Sequence, residues 1–171
     1  YIRTLTYIMG MAFWKLYPDA HVTVNYQLSN AMYCNLENME ITEEMLSNLE
    51  KEMKRIVDED LKIEKNVMSR KEAEKFYEEN NTGKGRLQLD LITNDKINMY
   101  YCDDYFNYFY GVIATHTGIA KIFELKKYYK GFLLRYPSSA DPLKLPEFKE
   151  TKKLLWALHE YETIYKVLNV G

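Results

Sequence analysis

Arg3, Tyr7, Gly10 and Trp14 recur every three or four residues, so on a helix they share one face, with the side chains at i and i+4 lying side by side. A guanidinium fork beside aromatic rings suits a planar anionic ligand, which it can hold by bidentate hydrogen bonds and stacking. Further along, Tyr100 to Gly118 concentrates aromatic residues around FNYFYG and ends in ATHTG. Of the three histidines, His21, His116 and His159, no two share a chelating spacing. His116, in a turn before Gly118, reads as a hydrogen-bonding residue, since a general base also needs an oriented partner and a substrate in reach. Cys34 and Cys102 are too few for a disulfide framework or a zinc ribbon. Cys102 reads as core, with no histidine near it in sequence to lower its pKa. The one glycine-bearing basic loop, NNTGKGR at 80–86, lacks the GxxxxGK[ST] spacing of a phosphate cradle and reads as a helix-ending loop.

The elements that must position these residues are readable from periodicity. Tyr1 to Tyr17 is expected as a helix, with Ile2, Leu5, Ile8 or Met9, Ala12 and Leu16 forming an apolar stripe. Pro18 and Asp19 end it, and His21 to Leu28 alternates as a half-buried strand, paired through a turn at Ser29-Asn30 with Ala31 to Leu36. Thr42 is an N-cap, with Ile41 stapling onto Leu46, for a helix to about Asp60 whose stripe is Met45, Leu49, Met53 and Ile56 or Val57. Lys62 to Met68 is a strand, and Ser69 with Glu72 opens a helix to about Glu79. Leu87 to Ile92 is open between helix and strand. Lys96 to Tyr101, Ile119 to Tyr128 and Phe132 to Tyr136 are expected strands, with Gly131 in the turn between the last two. The proline-rich stretch 137–146 reads as an extended linker, and Glu150 to Leu168 as a final amphipathic helix.

With 171 residues and a net charge of −2, the chain suffices for one well-packed domain, or for one domain plus an appended helix, and a single compact unit is expected; its mild acidity argues against nucleic acid overall, though clustered lysines can still form a local patch. No apolar run approaches a membrane span and no stretch has the order of a signal peptide. A cytoplasmic protein is expected, and the absence of an initiator methionine suggests a fragment.

Tyr17-Pro18-Asp19-Ala20 entering a strand, followed by MEITEEMLSNLEKEMKRIVDEDLKIEKNVMSRKEAEKFYEEN, resembles the second amino-terminal domain of threonyl-tRNA synthetase, shared with alanyl-tRNA synthetase and freestanding editing proteins. The order of elements is similar from about Ile2 to Leu134. The RTLTY opening, FNYFYG, HTG before a strand, GFLLRYP and the final NVG resemble the variant of this domain that precedes a P-loop kinase domain in a bacterial uridine kinase (nucleoside kinase) family.

The resemblance implies an α+β fold, a mixed or antiparallel sheet packed with helices, over 1–136, then a linker at 137–148 and a junction helix at 149–171. It implies a pocket where the first helix meets the aromatic segment. The synthetase family places HxxxH on that helix and CxxxH on the later segment for a metal or a hydrolytic water; here Arg3 and Tyr7 fall at the first pair and Phe109 and Ile113 at the second. A pocket without those ligands would be lined by Arg3, Tyr7, Tyr108 and Tyr110, with His116 nearby, and would take a nucleoside or nucleotide; alternatively the rings plug it. The expected function is a non-catalytic regulatory or ligand-sensing domain of an ATP-dependent uridine kinase. Its partner is its own kinase domain, which holds ATP and magnesium, and this stretch needs no cofactor of its own. A homo-oligomer is compatible with this. The alternative is a freestanding aminoacyl-tRNA editing-like or RNA-binding domain.

Overall fold

The computed structural model describes residues 1–28, 30–79, 96–109 and 111–147. Its central element is α1 (Ile2–Leu16), which is buried on more than one side: Thr4, Leu5, Tyr7, Ile8, Met9, Met11, Ala12 and Phe13 all lie inside. A helix apolar around most of its circumference must be covered around most of it, and here two antiparallel sheets do the covering. On one side is a four-stranded sheet of β1 (Val22–Leu28), β2 (Ala31–Leu36), β6 (Glu124–Tyr128) and β7 (Gly131–Arg135), ordered β1-β2-β7-β6. Phe13 meets Phe132 of β7 there, ring centroids 6.1 Å apart. On the other side is a three-stranded sheet of β3 (Glu64–Ser69), β4 (Lys96–Cys102) and β5 (Tyr105–Tyr108), ordered β3-β4-β5. The fold is therefore α+β with antiparallel sheets.

Helix α2 (Glu43–Asp58) begins as its sequence requires, with Thr42 Oγ1 accepting from Met45 N at 3.1 Å. It buries Leu46, Leu49, Met53, Ile56 and Val57 against the α1 core. Helix α3 (Arg70–Glu79) opens with Glu72 N donating to Ser69 Oγ at 3.2 Å and covers the far face of the second sheet, where Met68, Ala73, Ile97 and Met99 form a separate small core.

Two strand expectations are corrected. The strand expected from Ile119 begins only at Glu124: Thr117–Ile119 is a 3-10 turn, and the N–H and C=O of Ile122 are both taken by the Tyr1 hydroxyl, at 3.0 and 2.6 Å, so they cannot join a ladder. Gly131 is not the turn residue. Tyr128 pairs with Gly131 across a two-residue turn in which Tyr129 takes the positive φ of 56°. Glycine is needed at 131 because a Cβ there would collide with the Cys34 carbonyl of β2 and sit 3.0 Å from the Tyr33 ring. The stretch from Ser138 to Pro146 folds back through Asp141 N to Ser138 O at 3.2 Å, and Arg135 donates to the Pro146 carbonyl. The expected loop at 80–86, the segment 87–92 and the final helix lie outside the described residues.

Candidate functional site

Where α1 runs beneath the segment from Phe109 to Ala114, the two stretches singled out in the sequence touch. The Ala114 N–H donates to Thr4 Oγ1 at 2.9 Å. The Tyr7 ring meets Phe109 edge-on, centroids 6.3 Å apart. The Arg3 guanidinium lies against Gly111, where an added Cβ would stand 2.5 Å from Nη1; Gly111 also has a φ of 99°. The positive φ favours glycine at 111, whereas the exposed Arg3 side chain could swing away from a Cβ. Its carbonyl accepts from the Tyr100 hydroxyl at 2.8 Å.

Tyr7 fills the centre. It is 1% exposed, its hydroxyl donates to the Tyr100 carbonyl at 3.0 Å, and its ring stands edge-on to Tyr100 and Tyr105, at 6.4 and 5.2 Å. Burying such a ring contributes about 2–3 kcal/mol, and each edge contact about 0.5–1.5 kcal/mol more. Gly10 makes room for this packing: a Cβ on it would lie 2.9 Å from the Tyr105 hydroxyl. Trp14, one turn on, remains 41% exposed beside the Tyr105 ring, 5.6 Å away. The α1 face expected to line a pocket is thus roofed by β4 and β5, with Arg3 and Trp14 reaching solvent at its two ends.

The remaining candidates separate. Along β5 the side chains alternate: Tyr105 faces α1, while Phe106 and Tyr108 pack on the second core beneath α3. Tyr108 therefore stands on the opposite side of the sheet from Tyr7. Tyr110 lies outside the described residues. His116 is exposed, its Nδ1 3.1 Å from Thr115 Oγ1. Its neighbours are structural. Thr117, fully buried, donates through Oγ1 to the Ile56 carbonyl at 2.7 Å and accepts from Leu61 N at 2.9 Å, while Gly118 N donates to Asp60 Oδ1 at 3.0 Å. The HTG stretch clips the end of α2. A Cβ on Gly118 would overlap the Asp60 carboxylate.

An arginine, a phenol, a phenyl and an aliphatic side chain at positions 3, 7, 109 and 113 do not form a zinc donor set. Among the described residues, no group of three or more His, Cys, Asp or Glu is placed to hold a metal. Burial pushes the Cys34 thiol up to about 12; burial, and then the Asp103 charge, push Cys102 up to about 11. Neither is a thiolate at neutral pH. Tyr105 and the β4–β5 hairpin were not legible as an element; the available signal was Asp103-Asp104 between aromatic runs, a two-residue turn in which Asp103 takes a φ of 51°.

A helix held between two antiparallel sheets, meeting an aromatic segment at its first turns, makes this an α+β domain. Its relatives are threonine-tRNA ligases. The chain is 31% identical to a threonine-tRNA ligase of Fusobacterium nucleatum over 127 residues, 72% of this chain and 20% of that protein. It is 34% identical to a threonine-tRNA ligase of Acetivibrio thermocellus over 127 residues, 73% of this chain and 20% of that protein. A threonine-tRNA ligase of Alkalilimnicola ehrlichii aligns over 171 positions at 29% identity, covering 94% of this chain and 26% of the ligase. The chain spans about a fifth to a quarter of the length of these relatives. All three are ligases; a kinase parent has no support from them. No family model matches the chain. Among the described residues, no helix is long and apolar enough to cross a membrane.

Proposed function

We propose that the chain is a non-hydrolytic accessory domain built on the aminoacyl-tRNA editing fold of threonine-tRNA ligases. The observation that supports this is Tyr7. It occupies a position where the fold would place a metal ligand or water-activating histidine, and it presents instead a buried phenol bonded to the Tyr100 carbonyl and enclosed by three rings. Ester hydrolysis needs an activated water and room for the acyl group; among the described residues, the Tyr7 ring and the three rings packed on it fill the space between α1 and the second sheet. The test is deacylation of a mischarged threonine-accepting tRNA, with metal analysis of the purified chain. Loss of aminoacyl ester at the rate without protein is expected. Turnover above that rate, or stoichiometric zinc, overturns the reading.

A second reading rests on the RTLTY, FNYFYG, HTG and GFLLRYP motifs: the domain regulates a uridine or nucleoside kinase, with ATP and magnesium bound in a separate P-loop domain that performs the phosphoryl transfer. The relatives favour the ligase-type parent. Sequencing the coding region after Gly171 decides between them, since GxxxxGK[ST] behind a strand supports the kinase and synthetase catalytic sequence refutes it.

A further inference from the structure

The four-stranded sheet has two faces, and only one of them belongs to the core around α1. Cys34, Phe132 and Leu134 point into that core. Side chains alternate along a strand, so Tyr33 of β2 and Gly131, Leu133 and Arg135 of β7 point the other way. The register sets Tyr33 and Lys126 on either side of Leu133, Tyr128 beside Gly131, and Ala31 and Glu124 on either side of Arg135. An antiparallel sheet with one face on its core commonly leaves the other to water. This outer face is not wet. Leu133 is 1% exposed, Tyr33 3% and Arg135 8%, and none of the three belongs to either core of the described residues. Tyr128 is buried there as well. An apolar centre from which water is excluded is a packing surface.

The chain itself leads onto this face. After Tyr136 it turns through Ser138 and Asp141, and the Pro146 carbonyl accepts from Arg135. Because Arg135 projects from the outer face, the chain stands over that face when it reaches Glu147. Residues 148–171 follow, and their sequence places Leu154, Leu155, Leu158, Tyr161 and Ile164 at the spacing of one apolar stripe.

We propose that the outer face of the four-stranded sheet is the docking surface for the segment 148–171 of the same chain. The segment is then a layer of this domain, and the junction expected from the sequence is not its role. The bond at Pro146 favours this occupant over a second copy, since a segment held there meets the face at an effective concentration on the order of millimolar. The rim also suits it: Glu124, Lys126 and Arg135 carry both signs, as do Lys152, Lys153, Glu160 and Glu162 of the segment. Nothing in this inference depends on whether the parent protein is a ligase or a kinase.

The test uses the full chain, mixed from light and isotope-labelled protein so that links within and between chains are told apart, and a short lysine-reactive cross-linker. Lys126 is expected to join Lys152 or Lys153 within one chain. The variant L154S/L155S/L158S keeps the bond at Pro146 and loses the apolar stripe, so that link should fall at least about fivefold, and Tm should drop by more than about 10 °C. The variant E160A/E162A should stay within about 2 °C of the parent and keep the link. Leu158→Ser alone carries the same comparison where the triple variant does not fold. Links found only between chains overturn the proposal by making the occupant a second copy. A Lys126 link that is absent, or that is unchanged in the leucine variants, overturns it too, as does an equal loss of Tm in the leucine and glutamate variants.

Discussion

Replacing Thr117 by valine keeps the shape of a fully buried side chain and removes one hydroxyl, so its cost can be worked from two hydrogen bonds. In a continuing helix the Ile56 carbonyl would accept from Asp60 N, four residues on. Here Asp60 N turns to the Val57 carbonyl at 3.1 Å, with Asp60 at a φ of 48°, which leaves Ile56 among the orphan carbonyls of a helix end. Thr117 Oγ1 satisfies it at 2.7 Å and accepts from Leu61 N at 2.9 Å. Valine leaves both groups without that partner, and at about 1–2 kcal/mol for each the loss is about 2–4 kcal/mol. For a chain of this length that lowers Tm by roughly 5–15 °C. Urea unfolding with an unchanged m-value would isolate the effect on the folded state. Thr117→Ser keeps the hydroxyl and deletes a methyl, at a cost of about 1 kcal/mol. A valine variant as stable as the serine variant would refute the view that HTG is a clip on α2.

Tyr7→Phe keeps the ring and loses the bond to the Tyr100 carbonyl, so it should destabilise by about 1–2 kcal/mol in denaturant titration and confer no ester hydrolysis. Gly131→Ala drives a methyl into the Cys34 carbonyl, part of an interior strand's backbone, and should cost about 3 kcal/mol or prevent soluble expression. Both thiols are raised in the fold. The unfolded chain therefore releases their protons first, near the ordinary thiol range, and their contribution to stability is full at neutral pH and declines as pH rises from about 9 toward 12. Paired urea titrations of the parent and a Cys34→Ala variant should diverge less as pH rises through that window, and native thiol labelling at pH 8 should be far slower than labelling in urea.

Most of the fold was legible because its signals are local. Thr42, Ser69 with Glu72, and the alternation of Val22–Leu28 each specify an element without help from distant residues. The candidate site was only half legible. The i, i+4 spacing correctly put Arg3 and Tyr7 on one face of α1, but spacing cannot tell whether that face meets solvent or a second sheet. Here the cover is β5, an element of four residues whose turn is Asp-Asp without glycine, too short for periodicity to register. For the same reason Tyr108 could not be assigned a side until the register of β5 against β4 fixed it.

The bond from Arg135 to the Pro146 carbonyl bears on mechanics. Arg135 ends β7, an interior strand, is 8% exposed, and also pairs with Glu124 at 3.2 Å. The stretch after Tyr136 leaves the sheet, turns, and is tied back to it ten residues later. A pull at Glu147 would therefore load the Arg135–Pro146 bond before the intervening stretch could straighten. The anchor point is Arg135, which closes the stretch from Pro137 to Pro146 into a loop against the sheet.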